Sequence, residues 1–358
     1  MSGLTAFVYS KNYLKYFFGE AHPFQPIRSK LTLELLKKLE VFDSKAKVFE
    51  ARMASEEELQ LVHSRVYIDF VKEMSERGFG FLDYGDTPAT KGIFEGACSR
   101  VGGTLTACDL IMQAKALHAF NPGGGLHHAL PSSASGFCVF NDVAIGVRYL
   151  QKKYKLKRIA VIDIDGHHGD GTQKIFYSEP ILKISFHRIG IFPGTGYIEE
   201  IGEGKGKGYS VNVPLPAKTF DEAYLYAFNE VAIPLIEKYK PEIIVNQFGA
   251  DAHFQDPLVG LALITRAYEE IARKLHELAH KICEGRYLIL GGGGYNIDNV
   301  VKCWALMFLT VSEVEIEKEK YEKLHDRVRI EKDEKVFEIV KESVEKIKEV
   351  IFPLHGLA

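Results

Sequence analysis

The sequence predicts an α/β fold in which helices cover both faces of a parallel sheet. Short segments rich in β-branched residues alternate along the chain with longer segments of helical periodicity. Several of the short segments run directly into acids, histidines or glycines, as residues 158–163 and 242–246 do. In parallel sheets, functional groups collect outside the carboxyl ends of the strands, so the second observation agrees with the first.

Six segments are predicted as strands because they are short, apolar or β-branched, and bounded by charged or turn-forming residues. In chain order they are residues 5–9, 158–163, 181–186, 209–214, 242–246 and 287–290. Glycine-rich loops follow some of them. The loop at 202–208 resembles a phosphate loop but lacks the Gly-Lys-Ser/Thr that opens a helix, so we expect a flexible surface loop.

The helical segments are longer and carry apolar residues three or four positions apart. Ser55 followed by three acids is typical of a helix start, and we expect that helix to continue through residues 63–74. The other predicted helices are residues 31–39, 93–114, 142–151, 221–239, 263–282, 299–311 and 334–351. The last is amphipathic, which predicts that it packs on the body of the protein.

Composition is typical of a soluble globular protein, with 46% hydrophobic and 26% charged residues among 358. We expect a single domain over residues 1–358. The net charge of −3 argues against direct binding of nucleic acid. Five widely spaced cysteines without a Cys-x-x-Cys pair indicate reduced thiols. Neither a leader pattern nor an uncharged membrane-length segment is present, so a cytoplasmic protein without membrane contact is expected.

The most informative segment follows the predicted strand 158–163. Asp163, Asp165 and His167 alternate along it, so they point to one side if the chain stays extended. Asp251 follows the strand at 242–246 in the same way. Asp165, His167 and Asp251 would leave one position open on a metal ion, which is typical of a catalytic rather than a structural site. Zinc is favoured, while Fe(II) and Mn(II) also suit two carboxylates and one imidazole.

Acid/base chemistry is predicted at two adjacent histidines that follow a run of three glycines. His127 and His128 could move protons, and Asp163 and Asp170 could orient them. Tyr295 follows four glycines and could donate a hydrogen bond to a developing oxyanion. A Gly-x-Ser-x-Gly nucleophile motif is absent from the sequence, which favours direct attack by water.

Six motifs resemble, in this order, the zinc-dependent histone deacetylase family over about residues 20 to 310. They are Gly-Gly-Leu-His-His-Ala, Ser-Gly-Phe-Cys, Asp-Ile-Asp-Gly-His-His-Gly-Asp-Gly, Phe-Pro-Gly-Thr-Gly, Gly-Ala-Asp and Gly-Gly-Gly-Gly-Tyr-Asn. The extended motif Gly-Ala-Asp-Ala-His-x-x-Asp-Pro-Leu is most similar to the bacterial acetoin-utilisation deacetylases. The resemblance implies an arginase-like fold with one central, mostly parallel, eight-stranded sheet. It also implies zinc-dependent hydrolysis of acetyl-lysine in proteins.

The resemblance also implies residue roles. Zinc would be held by Asp165, His167 and Asp251, with His127 oriented by Asp163, His128 by Asp170, and Tyr295 stabilising the tetrahedral intermediate. Phe137, Phe192, Gly136 and Leu258 would line a tunnel for the acyl-lysine stem, and Asp86 would hold the substrate backbone at the rim. Arg28 and Leu126 would belong to an internal cavity for acetate. A structural potassium ion would lie near Asp163 and Ser185.

Three positions depart from the family pattern or lie outside it. Leu126 stands where many eukaryotic members carry a bulkier residue, so the inner cavity can differ. Gly169 stands where an arginase would place a carboxylate for a second metal, so one zinc ion per chain is expected. His253 follows Asp251 by two positions, and a place on the rim is favoured over a metal role.

Two rival functions stay open at the level of sequence. One is hydrolysis of small acetylated amines such as acetylpolyamines, which would use the same tunnel chemistry. The other is non-catalytic binding of acetyl-lysine, which is disfavoured because every expected reacting residue is present. Asp86 favours an acetylated protein or peptide as the partner, because a rim acid can meet a peptide backbone. The oligomeric state is left open.

Overall fold

One eight-stranded sheet forms the centre of the fold in the computed structural model, which describes residues 3–43 and 45–358. The strands are β1 Thr5–Tyr9, β2 Ala46–Glu50, β3 His118–Asn121, β4 Ile159–Asp163, β5 Leu182–Arg188, β6 Ser210–Leu215, β7 Ile243–Gln247 and β8 Tyr287–Leu290. Their spatial order is β2-β1-β3-β8-β7-β4-β5-β6, and every pair is parallel. The predicted α/β class and the eight-stranded sheet are therefore confirmed.

Strands β2 and β3 were not predicted from the sequence, for two different reasons. Strand β2 lies at an edge, and its side chains at Lys47, Val48 and Glu50 are exposed, so it lacks a continuous apolar run. Strand β3 is fully buried but has only four residues before the glycine loop begins. The six strands that were predicted are all present, with ends that differ by at most two residues.

Twelve α-helices surround the sheet within the described residues. They are α1 Ile27–Lys38, α2 Glu56–Leu59, α3 Arg65–Arg77, α4 Ile93–Met112, α5 Asp142–Tyr154, α6 Asp170–Ile175, α7 Asp221–Ala227, α8 Ile233–Tyr239, α9 Thr265–Ile282, α10 Ile297–Ser312, α11 Lys318–Glu322 and α12 Glu334–Ile351. A π-helical stretch, Phe228–Ala232, joins α7 to α8, so the helix predicted over 221–239 is continuous. Helix α12 packs against β6 and α7, as its amphipathic pattern predicted.

The prediction of one helix from Ser55 through residue 74 is wrong. Helix α2 ends after one turn, and α3 begins at Arg65 with Ser64 accepting a hydrogen bond from the backbone N–H of Tyr67. Ser55 does start a helix, because it forms a capping box with Glu58. A second cap signal nine residues after the first is what divides the segment.

The central strands determine where the functional side chains lie. Strands β3, β8, β7 and β4 are neighbours in the middle of the sheet and end at one edge. The loops after them carry, respectively, His127, Tyr295, Asp251 and Asp165. A parallel sheet thus gathers groups that are up to 168 residues apart in sequence.

Two further predictions concern thiols and membranes. The five cysteines are free and buried. Within residues 3–43 and 45–358, none of the helices combines the length and the apolar character that crossing a bilayer requires. The single domain over residues 1–358 stays a prediction.

Candidate active site

The three predicted metal ligands converge at the carboxyl edge of the sheet. The Nδ1 atom of His167 lies 3.2 Å from Oδ1 of Asp165 and 2.9 Å from Oδ2 of Asp251. All three side chains are buried, and their ligand atoms lie within 4.8 Å of one another. The arrangement offers two carboxylate oxygens and one imidazole nitrogen to a single point.

Neighbouring donors fix the two carboxylates of this set. Asp165 Oδ2 accepts hydrogen bonds from the Gly293 backbone N–H at 2.7 Å and from Nε2 of Gln247 at 2.6 Å. Asp251 Oδ1 accepts the backbone N–H of Gly166 at 2.7 Å. Each carboxylate therefore keeps its other oxygen directed toward His167. Gln247 was not singled out from the sequence, since an amide at a strand end carries no metal-ligand signal.

The electrostatics of this set fit a bound cation. Burial and the facing carboxylate of Asp165 raise the pKa of Asp251, because two buried negative charges repel one another. A divalent ion would remove that repulsion and use the imidazole as a third ligand. The set suits Zn²⁺, and its two oxygens also suit Fe²⁺.

The two adjacent histidines each face one acid. His127 Nδ1 lies 2.7 Å from Asp163 Oδ2, and His128 Nδ1 lies 2.7 Å from Asp170 Oδ1. These are the pairings expected from the sequence. The two Nε2 atoms lie 3.0 Å apart, so a proton on one can be shared with the other. Asp170 begins α6, which fixes its position beside His128.

Different surroundings push the pKa values of the two histidines apart. Burial opposes charge on His127, but Asp163 and Asp165 outweigh it and raise the pKa of His127 to about 9. Burial and the neighbouring charge of His127 lower the pKa of His128 to about 4, against the pull of Asp170. His127 is therefore the member that holds a proton, and His128 Nε2 is an acceptor.

Gly169 lies directly against the His127–Asp163 pair. A Cβ atom added there would lie 2.4 Å from Asp163 Oδ2 and 3.1 Å from His127 Nδ1. Nothing larger than glycine fits without displacing the pair. On the next strand, Ser185 is paired in register with Asp163, and its Oγ lies 3.0 Å from His187 Nδ1. The potassium site near Asp163 and Ser185 stays a prediction.

A cavity of about 250 Å³ leads from the surface to His167, one member of the metal-ligand set. Its wall brings together all five residues predicted to contact substrate: Asp86, Gly136, Phe137, Phe192 and Leu258. His128, His167 and Tyr295 also line it, as does Ile191, which the sequence did not indicate. Phe192 and Leu258 are 43% and 40% exposed, which places them at the mouth.

The glycine loop that ends at Tyr295 is held from two sides by hydrogen bonds. The Arg28 guanidinium donates to the backbone carbonyls of Gly292 and Gly294 at 2.6 Å each. From the other side, Asp256 Oδ2 accepts the backbone N–H of Tyr295 at 2.8 Å. Burial, with the nearby Asp251 and Asp165, raises the pKa of Tyr295 well above its usual value, so the hydroxyl keeps its proton as a donor.

A second, very small cavity of about 10 Å³ lies deeper and is lined in part by Leu126, His127 and Tyr295. Arg28 is not part of its lining; its side chain is buried and its guanidinium packs 4.4 Å from the centre of the Phe24 ring. The role of Arg28 in releasing acetate stays a prediction. Its contacts show a second task, which is to hold the glycine loop before Tyr295.

Asp86, the acid predicted at the rim, lies in a tight turn that also contains Asp83. Asp83 Oδ1 accepts the backbone N–H groups of Gly85, Asp86 and Thr87. Partial burial would raise the pKa of Asp83, but hydrogen bonds with the side chains of Asp86 and Thr87, and with the backbone, lower it to about 2. Partial burial and the neighbouring Asp83 raise the pKa of Asp86 to about 6. Asp86 is exposed at the mouth of the cavity and thus close to its protonation midpoint at mildly acidic pH.

The rim position predicted for His253 is wrong. Its side chain is fully buried, with Nε2 2.9 Å from Asp326 Oδ2 and Nδ1 accepting from Asn299 Nδ2 at 3.0 Å. Both ring nitrogens are used, and neither faces the metal-ligand set. The loop after β7 turns inward at this residue, toward the start of α9, where Asp326 also accepts the N–H of Thr265.

Comparison with known proteins places this site in a family. Residues 22–311 match the model described as the histone deacetylase domain. The chain belongs to the histone deacetylase family. The deacetylase is 45% identical over 322 residues to the acetoin utilization protein AcuC of Bacillus subtilis (strain 168), covering 87% of this chain and 83% of that protein. The corresponding protein of Staphylococcus aureus (strain MRSA252) is 40% identical over 324 residues, with 87% and 83% covered.

A solved structure described as an HDAC homolog from Aquifex aeolicus superposes on the deacetylase with a TM-score of 0.82. That protein is 31% identical, and the match covers 96% of this chain and 100% of that one. The resemblance inferred from the sequence motifs is therefore confirmed, including the similarity to acetoin-utilisation proteins. The deacetylase is thus a member of a hydrolase family that acts on acetylated amides.

Proposed function

We propose that this deacetylase removes acetyl groups from lysine side chains of proteins, with one zinc ion held by Asp165, His167 and Asp251. The observation that carries the proposal is the cavity of about 250 Å³, which joins an acid at its mouth, Asp86, to one of these ligands, His167. Its walls are aromatic where an alkyl stem would pass, and its floor is polar where an amide would react.

The aromatic walls suit the methylene groups of a lysine side chain. Phe192 packs edge-on against His128 with 5.0 Å between ring centres, and Phe137 packs against Tyr295 at 5.9 Å. Burial of an alkyl stem between such rings would contribute about 1.5–3 kcal/mol. At the mouth, Asp86 could accept hydrogen bonds from the peptide N–H groups beside the modified lysine.

Each group around the proposed metal ligands has a separate role in hydrolysis. Zinc bound there would polarise the acetyl carbonyl and lower the pKa of a water molecule. His128 Nε2 accepts the proton of the attacking water, since Asp170 fixes the other ring proton on Nδ1. His127, held by Asp163, supplies positive charge beside the reacting atoms and can return a proton to the departing amine.

Tyr295 lines the same cavity as His128 and His167. Its protonated hydroxyl would donate to the carbonyl oxygen as negative charge develops there. Arg28 and Asp256 hold its loop in place through backbone contacts. We include in the proposal a potassium ion near Asp163 and Ser185, and passage of acetate past Leu126 and Arg28.

A substrate comparison tests the proposed function. Purified deacetylase would be assayed on acetyl-lysine peptides and on acetylated polyamines, with Tyr295→Phe as the control for contaminating activity. We expect kcat/KM for peptides to exceed that for the amines by at least about tenfold, because only peptides offer backbone N–H groups to Asp86. The reverse order would assign the site to small acetylated amines. Binding of acetyl-lysine peptide without hydrolysis of either class would assign a non-catalytic role.

A further inference from the structure

A cluster of three histidines lies at the opposite edge of the sheet from the active site. His118 is the first residue of β3, whereas the catalytic loop leaves the other end of that strand. His276 and His280 are one turn apart on α9, which packs beside it. The cluster draws on residues up to 162 positions apart. None of the active-site groups described above belongs to it.

The three rings present the same atom to one point. Nε2 of His118 lies 3.1 Å from Nε2 of His276 and 3.2 Å from Nε2 of His280, and the last two are 3.0 Å apart. The rings are nearly perpendicular to one another, with interplanar angles of 79°, 74° and 88°. The nitrogens thus form an almost equilateral triangle.

Hydrogen bonding alone cannot satisfy such a triangle. A neutral imidazole nitrogen is either a donor or an acceptor, not both. Among three nitrogens, two must therefore be of the same kind, and at least one of the three contacts joins two donors or two acceptors. His118 and His276 are buried, so water cannot relieve the mismatch at those rings. A single cation at the centre would turn three lone pairs from a conflict into a set of ligands.

The dimensions match those of a metal site. Zinc lies about 2.0–2.1 Å from imidazole nitrogen in tetrahedral sites, which places two such nitrogens roughly 3.3–3.4 Å apart. The triangle is within a few tenths of an ångström of that spacing. Two histidines at i and i+4 on one helix face are a recurrent way to offer two metal ligands. His280 is exposed, which leaves an entry path and a fourth position for water.

We propose that His118, His276 and His280 bind a divalent transition-metal ion of the zinc class, at a site separate from the active site. The ion would tie α9 to the amino end of β3 and so stabilise the folded chain. Imidazole-only sites of this kind also accept Ni²⁺ and Cu²⁺, so zinc serves as the probe. The chain would then take up two zinc ions, one more than the sequence motifs predict for the active site.

Zinc stoichiometry tests the proposal. The deacetylase, His280→Asn and His355→Asn would be dialysed at fixed free zinc and their metal content measured. His355 is a matched control, since it is a half-buried histidine that belongs neither to the active site nor to the three-histidine cluster. Its Nε2 atom is hydrogen-bonded to the backbone carbonyl of Gly208. We expect two zinc ions in the parent and in His355→Asn, one in His280→Asn, and full deacetylase activity in all three.

The dependence of Tm on zinc concentration is a second measurement, and it distinguishes loss of the zinc site from loss of the fold. Added zinc should raise the Tm of the parent and of His355→Asn. For His280→Asn, the zinc concentration at which half of this rise in Tm is reached should be at least about tenfold higher. His276→Asn, which removes a buried ligand, should behave in the same way. Equal zinc content in the parent and both cluster variants, or an equal Tm response, would overturn the proposal.

Discussion

The backbone N–H of Tyr295 donates a hydrogen bond of 2.8 Å to Asp256 Oδ2, which joins the loop after β8 to the loop after β7. The other oxygen of Asp256 accepts the N–H of Leu258 at 2.9 Å. One carboxylate therefore positions both the proposed oxyanion donor and a residue of the cavity wall.

We predict that Asp256→Asn lowers kcat by about tenfold, the cost of one buried hydrogen bond, without loss of metal. Both carboxylate oxygens accept backbone N–H groups, whereas an amide has only one oxygen that can accept them. Kinetics and zinc content would be measured together. Asp221→Asn is the matched control, since Asp221 is a partly buried acid that also accepts a backbone N–H, that of Ile264, outside the cavity. Equal kcat in the two variants would contradict the positioning role.

Removing the hydroxyl of Tyr295 should separate chemistry from binding. Tyr295→Phe is expected to lower kcat by about 10²–10³ with little change in KM, because the donor acts mainly in the transition state. Zinc content and Tm should match those of the parent. A fall in kcat of less than about fivefold would indicate that Tyr295 has only a structural role.

Asp251→Ala should lose active-site zinc and activity together, since it removes one of three ligands and leaves Asp165 and His167 behind. Metal analysis and turnover would be compared with His253→Asn, which changes a buried neighbour whose ring nitrogens face Asp326 and Asn299 instead. That control should keep its zinc. Near-normal turnover and metal content in Asp251→Ala would refute the ligand set.

Phe192→Ala should raise KM for acetyl-lysine peptides by roughly threefold to tenfold, because a half-exposed ring contributes only part of the burial energy. Zinc content should not change. Tyr197→Ala provides the control, as Tyr197 is a comparably exposed aromatic, 50% against 43%, outside the cavity. If both variants bind peptide like the parent, the stem passes elsewhere.

Acidic pH should weaken peptide binding through Asp86. Its pKa is raised to about 6, so the carboxylate is charged at neutral pH and gains a proton as the pH falls through 6. A protonated acid is a poorer acceptor for two peptide N–H groups, so KM for peptides should rise between pH 7 and 5. Asp86→Asn should have a high KM that lacks this component, and so should an acetylated amine assayed with the parent. A parallel pH profile in parent and variant would exclude Asp86 as the cause.

The parts of the site that could be predicted are those carried by short, chemically distinctive strings. Asp165, His167 and the His127–His128 pair sit in such strings, and the sheet brought them together. Gln247 could not be recognised, because an amide at a strand end carries no metal-ligand signal. Asp256 stands in the extended motif that contains Asp251, but nothing in the sequence shows that it accepts the backbone N–H of Tyr295. The cluster of His118, His276 and His280 could not be predicted for another reason, since the fold alone brings His118 to the pair of histidines on α9.

The same distinction applies to the fold. Buried strands with runs of β-branched residues, such as β4 and β7, can be predicted from the sequence. The exposed edge strand β2 and the four-residue strand β3 cannot. His253 was misplaced because spacing from Asp251 says nothing about which way the loop turns. Only the contact with Asp326, 73 residues later, settles that direction.

Gly169 limits what mutation could make of this active site. A carboxylate for a second active-site metal would have to begin with a Cβ atom that lies 2.4 Å from Asp163 Oδ2. Such a side chain would push Asp163 away from His127 before it could reach any ion. The intermediate on that evolutionary path has lost its oriented histidine and has not yet gained a binuclear centre. If the active site holds one ion, as proposed, this glycine separates it from binuclear chemistry, and an engineer would have to rebuild the histidine pair before adding a second metal.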